Sequence, residues 1–205
     1  MSGLPTIYGL DLTIDASGPF VDPASDRVLE VGLSASHCDD LFAGDEADLL
    51  RELDDRLAML PAGIIVTWHG SVLAIPLIAA RARLHRLTLG LALEQDKRSA
   101  PPSPILGLDA AVRARWGQHA VLDLQRVYEP GGGRWWGRRH RDHRDRDHEA
   151  LFPPTDDLIP RDPCKDARLV RCLAERRWSQ AKRHIDALSQ PVAPSGTAPQ
   201  AARLV

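Results

Sequence analysis

Apolar and polar residues alternate from Thr6 to Ile14, with Leu10, Leu12 and Ile14 on one face and Asp11, Thr13 and Asp15 on the other. That period of two predicts a first strand. Arg27 to Ser34 predicts a second strand and Asp39 to Ala43 a short third one. Ala16 to Asp26 holds the glycine and prolines of a loop. Leu49, Leu50, Leu53, Leu57 and Leu60 recur at helical spacing from Asp45 to Leu60, with acids in the first turn and Pro61-Ala-Gly as the stop. Gly63 to Leu84 then reads as a buried strand, a turn at His69-Gly70-Ser71 and a helix with Pro76 in its first turn. Leu87 to Leu93 predicts a short strand, Asp96 to Pro104 a loop, and His119 to Tyr128 a strand passing into a turn or helix.

The hydrophobic period vanishes at Glu129. Gly131-Gly-Gly-Arg-Trp-Trp-Gly runs into an Arg/His/Asp-rich stretch ending at Glu149. Order returns with Asp162 as N-cap and Pro163 as first helical residue, and one helix is expected to about Leu188. Leu169, Cys172, Leu173, Ala181, Ile185 and Leu188 form its expected apolar face, and its other faces are basic. The chain thus divides into a core over 1–128, an irregular insert over 129–161, a helix of the same domain over 162–190 and a disordered tail over 191–205. Short links between the first three strands imply an antiparallel meander, and the later strand–helix–strand order implies parallel crossovers. The fold class expected is therefore α/β, a mixed sheet with helices on its faces.

With 205 residues there is enough chain for one sizeable core. A net charge of −2 leaves any basic surface local. Three cysteines, Cys38, Cys164 and Cys172, match no zinc spacing and, being odd in number, no disulfide framework. Reduced thiols, no signal-peptide layout and no apolar run of membrane length together give the expectation of a cytoplasmic protein without a membrane partner. The sequence contains no phosphate-cradling glycine loop, nucleophile elbow or zinc-protease helix.

Several residues are candidates for chemistry in their own right. Trp135 and Trp136, with Arg138 beside them, could stack on unpaired bases or anchor a loop on the domain. His140, His143 and His148 could bind a transition metal, although alternating Arg and Asp more often marks a solvated segment. The basic last helix could contact phosphates or simply face solvent.

Three segments, Tyr8 to Thr13, Thr67 to Pro76 and Cys164 to Leu169, together resemble the DEDD-type 3′–5′ exonucleases of the ribonuclease H-like fold. Tyr8-Gly-Leu-Asp11-Leu-Thr13 is similar to the family's first motif, an Asp-x-Glu on the first strand. Thr67-Trp68-His69-Gly70-Ser-Val-Leu73-Ala74-Ile-Pro76 is similar to its second, Thr-Trp-Asn-Gly-x-x-Phe-Asp-x-Pro. Cys164-Lys-Asp166-Ala-Arg-Leu resembles the final helix, whose aspartate follows a tyrosine by four positions. The likeness covers Ile7 to Leu93, His119 to Tyr128 and Asp162 to Trp178. It implies a ribonuclease H-like mixed sheet, a single-stranded nucleic-acid end as partner, and two Mg²⁺ or Mn²⁺ ions flanking the scissile phosphate.

Carried over by position, Asp11 and Asp166 are the implied metal ligands, and Asp162 stands at the catalytic tyrosine position. Thr13, Trp68 and His69, with Trp135, Trp136 and Arg138 of the insert, are the nucleic-acid-binding candidates. Thr13 replaces the first-motif glutamate and Ala74 the second-motif aspartate. Even two unit charges about 4 Å apart repel by roughly 4 kcal/mol at an effective dielectric of 20. Four carboxylates offset such repulsion between two divalent ions; two do not. The resemblance therefore implies an exonuclease-like protein with weak or lost hydrolysis, and the alternative is a catalytically inactive scaffold binding a protein or nucleic acid. Asp15, Asp123 and Asp162 are the carboxylates that could compensate, each with a plainer reading as a turn, cleft or capping residue. His69 could reach a metal or hydrogen bond the turn backbone as asparagine would.

Overall fold

A computed structural model describes residues 4–16, 20–96, 105–108, 110–128 and 162–189. The insert with Trp135, Trp136, Arg138 and its three histidines lies outside the described residues, as does the tail over 191–205. The strands are β1 (Ile7–Asp15), β2 (Arg27–Ser34), β3 (Asp39–Ala43), β4 (Ile64–Thr67), β5 (Leu91–Gln95), β6 (Val112–Trp116) and β7 (His119–Asp123). The helices are α1 (Glu46–Met59), α2 (Ile75–Leu84), α3 (Gln125–Tyr128), α4 (Pro163–Arg176) and α5 (Trp178–Ser189), and a π-helical turn (Gly70–Ala74) precedes α2. No helix among the described residues is long and apolar enough to cross a membrane.

One sheet takes all seven strands in the order β3-β2-β1-β4-β7-β6-β5. β1, β2 and β3 form the antiparallel meander. β1, β4 and β7 are mutually parallel neighbours, and β5 and β6 extend the sheet antiparallel beyond β7. The mixed sheet follows from the connections: α1 carries the chain across the sheet between β3 and β4, which an ordinary turn could not do for a parallel neighbour.

The period of two in β1 separates two cores. Tyr8, Leu10 and Leu12 join Leu49, Leu50, Leu53 and Leu57 of α1 and Ile75, Leu77 and Ile78 of α2. Ile7, Ile64, Val66 and Leu122 face the other way and pack with Val170, Leu173, Ala174 and Ala181 of the last two helices. On that second face α4 approaches the sheet closely. A Cβ on Gly9 would stand 1.8 Å from the Ala167 carbonyl oxygen, and one on Gly32 would stand 2.2 Å from that of Pro163. Glycine in the strands and small residues on the helix together permit this contact.

A buried ion pair ties the first face together. Arg81 of α2 donates to Glu46 through Nε at 2.9 Å and through Nη2 at 2.5 Å. Glu46 also accepts from the Val28 backbone at 2.7 Å, and Arg81 Nη1 donates to the Pro23 carbonyl at 2.9 Å. His85 Nε2 lies 2.7 Å from the same carboxylate. Thus α1, α2, β2 and the loop before β2 are joined at one point.

Three elements differ from the sequence reading. The last helix is not continuous to Leu188 but breaks at Arg177, whose backbone lies at φ −108°, ψ 31°. The break lets Trp178, Ala181 and Ile185 turn onto the second core while Arg177 lies over the Tyr128 ring at 4.2 Å. Its buried face in α4 is Ala167, Val170, Leu173 and Ala174, whereas Leu169 and Cys172 are only partly buried. The strand expected over Leu87 to Leu93 begins at Leu91, because pairing with β6 defines it, while Leu87 and Leu89 pack beneath the core without joining the sheet. β6 is not among the expected strands, although Val112, Ala114 and Trp116 alternate with Arg113 and Arg115.

Candidate functional site

Asp11 lies on β1 opposite Gly32 of β2, and Gly32 in turn lies beneath Pro163 and Cys164. The neighbouring contact of Gly9 with Ala167 fixes the direction of α4 across β1. Asp166, the acid of that helix's first turn, is thereby brought over the strand that bears Asp11. An acid there is also favoured by the helix dipole. Asp11 thus lies on the face of the sheet that α4 covers, and Asp166 on the first turn of that helix.

Asp162 has a different occupation. Its carboxylate accepts from the Cys164 and Lys165 backbone N–H groups at 3.1 and 3.2 Å and lies 3.4 Å from Lys165 Nζ. These hydrogen bonds, that of the Lys165 N–H first, hold its carboxyl below the usual carboxylate range. Its capping reading is therefore the one the geometry supports. Asp15, at the strand end, lies 3.9 Å from Arg27 in an exposed pair.

Thr13 faces Glu30 across the β1–β2 ladder, and its hydroxyl donates to Glu30 Oε2 at 3.4 Å. Glu30 is a carboxylate that motif matching overlooked, since it lies on the adjacent strand. The signal that finds it is register: directly paired residues share a face. Nearby, Arg168 of α4 donates to Asp39 through Nε at 2.8 Å, and that hydrogen bond lowers the Asp39 pKa.

The parallel register sets Gly9 beside Val66, so Trp68, just beyond β4, comes level with Asp11. Trp68 packs on the second core, edge to face with Tyr128 at 5.8 Å between ring centroids. Tyr128 donates its hydroxyl to the Leu173 carbonyl at 3.3 Å, which links Trp68 to the helix carrying Asp166.

His69 opens the turn with a left-handed backbone, φ 58° and ψ 19°, a conformation asparagine tolerates better than most residues. Its imidazole makes no helix-capping hydrogen bond. Asp123 of β7 holds the turn instead, accepting from the Ser71 N–H at 3.0 Å and the Ser71 hydroxyl at 2.6 Å. The same carboxylate accepts from the Gln125 N–H at 3.1 Å. Asp123 is buried on the face that packs against α2, and is thus a positioning residue for the turn rather than a partner of Asp11. Asp123→Ala leaves the Ser71 N–H without its acceptor and is expected to lose about 1–3 kcal/mol in urea unfolding. Ser71→Ala, which keeps the backbone bond, should lose less.

Ala74 is buried in the first core. A methyl there offers no oxygen to a metal. Among the described residues no group of three or more His, Cys, Asp or Glu side chains is placed to hold a metal ion. Asp11 and Asp166 alone do not fit a two-metal centre of four carboxylates.

No protein-family model and no curated protein sequence matches the chain. Solved structures do. The family B DNA polymerase from the hyperthermophilic archaeon Pyrobaculum calidifontis is similar over 85% of this chain and 24% of its own, with a TM-score of 0.59 and 17% identity. The chain therefore spans about a quarter of that polymerase's length. A likeness at this identity speaks for the fold, and with the strand order above the fold is an α/β, ribonuclease H-like mixed sheet flanked by helices.

Proposed function

We propose that this chain is a nucleic-acid-binding protein on a 3′–5′ exonuclease-like frame, with two-metal hydrolysis weak or lost. The observation carrying this reading is the contrast between two positions. Asp11, Thr13, Trp68 and the Asp166 turn of α4 gather at one face of the sheet, while the second-motif position, Ala74, is buried apolar core. The similarity to a DNA polymerase supports a nucleic-acid partner. In this reading Trp68 stacks on an unpaired base, and basic residues of the last two helices meet phosphates.

The test is a 5′-labelled single strand, offered first for binding and then for digestion with magnesium or manganese. Binding is expected to weaken with salt, by about 0.7 log units per log unit of salt for each phosphate contacted. Trp68→Ala should lower affinity by about 1–3 kcal/mol. Digestion should yield little or no ladder, and any ladder should disappear in Asp11→Ala. Absence of binding at low salt would sink the nucleic-acid reading and leave a protein-binding scaffold. A strong ladder abolished by Asp11→Ala would sink the claim of weak or lost hydrolysis.

A further inference from the structure

Trp68 lies one residue beyond β4, and Tyr128 is the last residue of α3, the short helix that follows β7. β4 and β7 are parallel neighbours with Thr67 beside Asp123, so both aromatic residues follow the carboxyl end of the same strand pair. In open α/β sheets that end is where ligands bind. Two backbone hydrogen bonds join the segments. The Leu124 N–H donates to the Thr67 carbonyl at 2.9 Å, and the Tyr128 N–H donates to the Leu124 carbonyl at 3.1 Å.

Tyr128 is also tied to the last two helices. Its hydroxyl donates to the Leu173 carbonyl of α4 at 3.3 Å. The Arg177 guanidinium, at the break before α5, lies 4.2 Å from the centre of its ring. A cation at that distance is attracted by the π face. Trp68 meets this anchored ring at 5.8 Å between centroids and 60° between planes. That separation is inside the range in which tilted aromatic pairs attract beyond simple burial. Both side chains are only partly buried against the second core, so the core by itself does not enclose the indole.

We propose that Tyr128 is a positioning residue for nucleic-acid binding: its ring, anchored by Leu173 and Arg177, holds the Trp68 indole ready to stack on an unpaired base. A side chain ordered before binding loses no rotamer freedom on binding, and that difference appears as affinity. The proposal rests on the nucleic-acid reading and adds to it a residue that acts through Trp68.

The experiment is a double-mutant cycle on the full chain, read as the dissociation constant for a 5′-labelled single-stranded oligothymidylate. Trp68→Ala is expected to weaken binding about 5- to 150-fold, the range of one base–aromatic stack. Tyr128→Leu keeps apolar bulk but loses the aromatic pair, and should weaken binding about 2- to 12-fold. In the Trp68→Ala background the same leucine should change binding by less than about twofold, the usual scatter of such cycles. A merely structural role would give the same factor in both backgrounds. Tyr128→Phe restores the ring and should recover the affinity that leucine loses. Tyr128→Met serves as a second apolar replacement if the leucine variant does not fold. Equal factors in the two backgrounds, or phenylalanine no better than leucine, overturn the proposal and leave the nucleic-acid reading standing. A parent chain that does not bind the strand at low salt overturns both.

Discussion

Replacing Glu46 with glutamine is expected to lower the unfolding free energy by about 3–5 kcal/mol, the usual consequence of breaking a buried ion pair from one side. The measurement is urea unfolding, with a lower midpoint at an unchanged slope. The Arg81 and Glu46 side chains are only 4% and 6% exposed, so solvent cannot replace the lost partner. Glutamine keeps the shape but leaves the guanidinium without a counter-charge. By contrast, Arg51→Ala at the exposed pair with Asp48 should change stability by less than about 1 kcal/mol. An equal effect of the two substitutions would refute the assignment of the Glu46 pair as a structural anchor.

The same carboxylate gives a pH dependence of definite sign. Burial acts to raise the Glu46 pKa, but hydrogen bonds from Arg81, His85 and the Val28 N–H outweigh it, and the folded value lies below the ordinary one. A depressed folded pKa contributes stability that is fully present above the unfolded value, about 4.3, and is lost as pH falls through the folded value. The parent protein should therefore lose stability in that acid window more steeply than Glu46→Gln.

Gly9→Ala is the second large effect, with an expected loss of about 3 kcal/mol, at the upper end for overpacking. The new methyl would stand 1.8 Å from the Ala167 carbonyl oxygen, which is backbone and cannot rotate away. Either α4 lifts from the sheet or β1 bends. Lifting α4 also loosens its seat on Gly32 and exposes Cys164, whose thiol burial now holds above its ordinary pKa. Faster reaction of Cys164 with a thiol reagent should accompany the drop in urea midpoint. Unchanged stability and thiol reactivity would show that α4 does not rest on β1 as described. Because α4 bears Asp166, the substitution should also separate it from Asp11 and abolish any residual hydrolysis.

The elements that local pattern controls were legible. β2 was expected and found over Arg27 to Ser34, and α1 has Asp45 as its N-cap, accepting from the Ala47 and Asp48 N–H groups. Asp162 caps α4 as its position before Pro163 suggested. The break at Arg177 was not legible, because the helical period of the apolar residues runs on and only the tertiary positions of Tyr128 and the second core require a bend. The small buried face of α4 was missed for a related reason. Ala167 is unremarkable in a sequence until Gly9 is known to lie beneath it.

For the candidate site, the order of residues fixes which chemical groups are present: Asp11, Thr13 and Asp166, with Ala74 inside a strand–turn–helix. The tertiary structure alone decided which of these groups meet. It brought the Asp166 turn over β1, set Glu30 opposite Thr13 and gave Asp123 to Ser71. The physical reason is range. Strand and helix periods, caps and turn residues act over a few positions and are written locally. Strand register, helix seating and buried charge pairing join residues tens to more than a hundred positions apart, and only packing selects among those pairings.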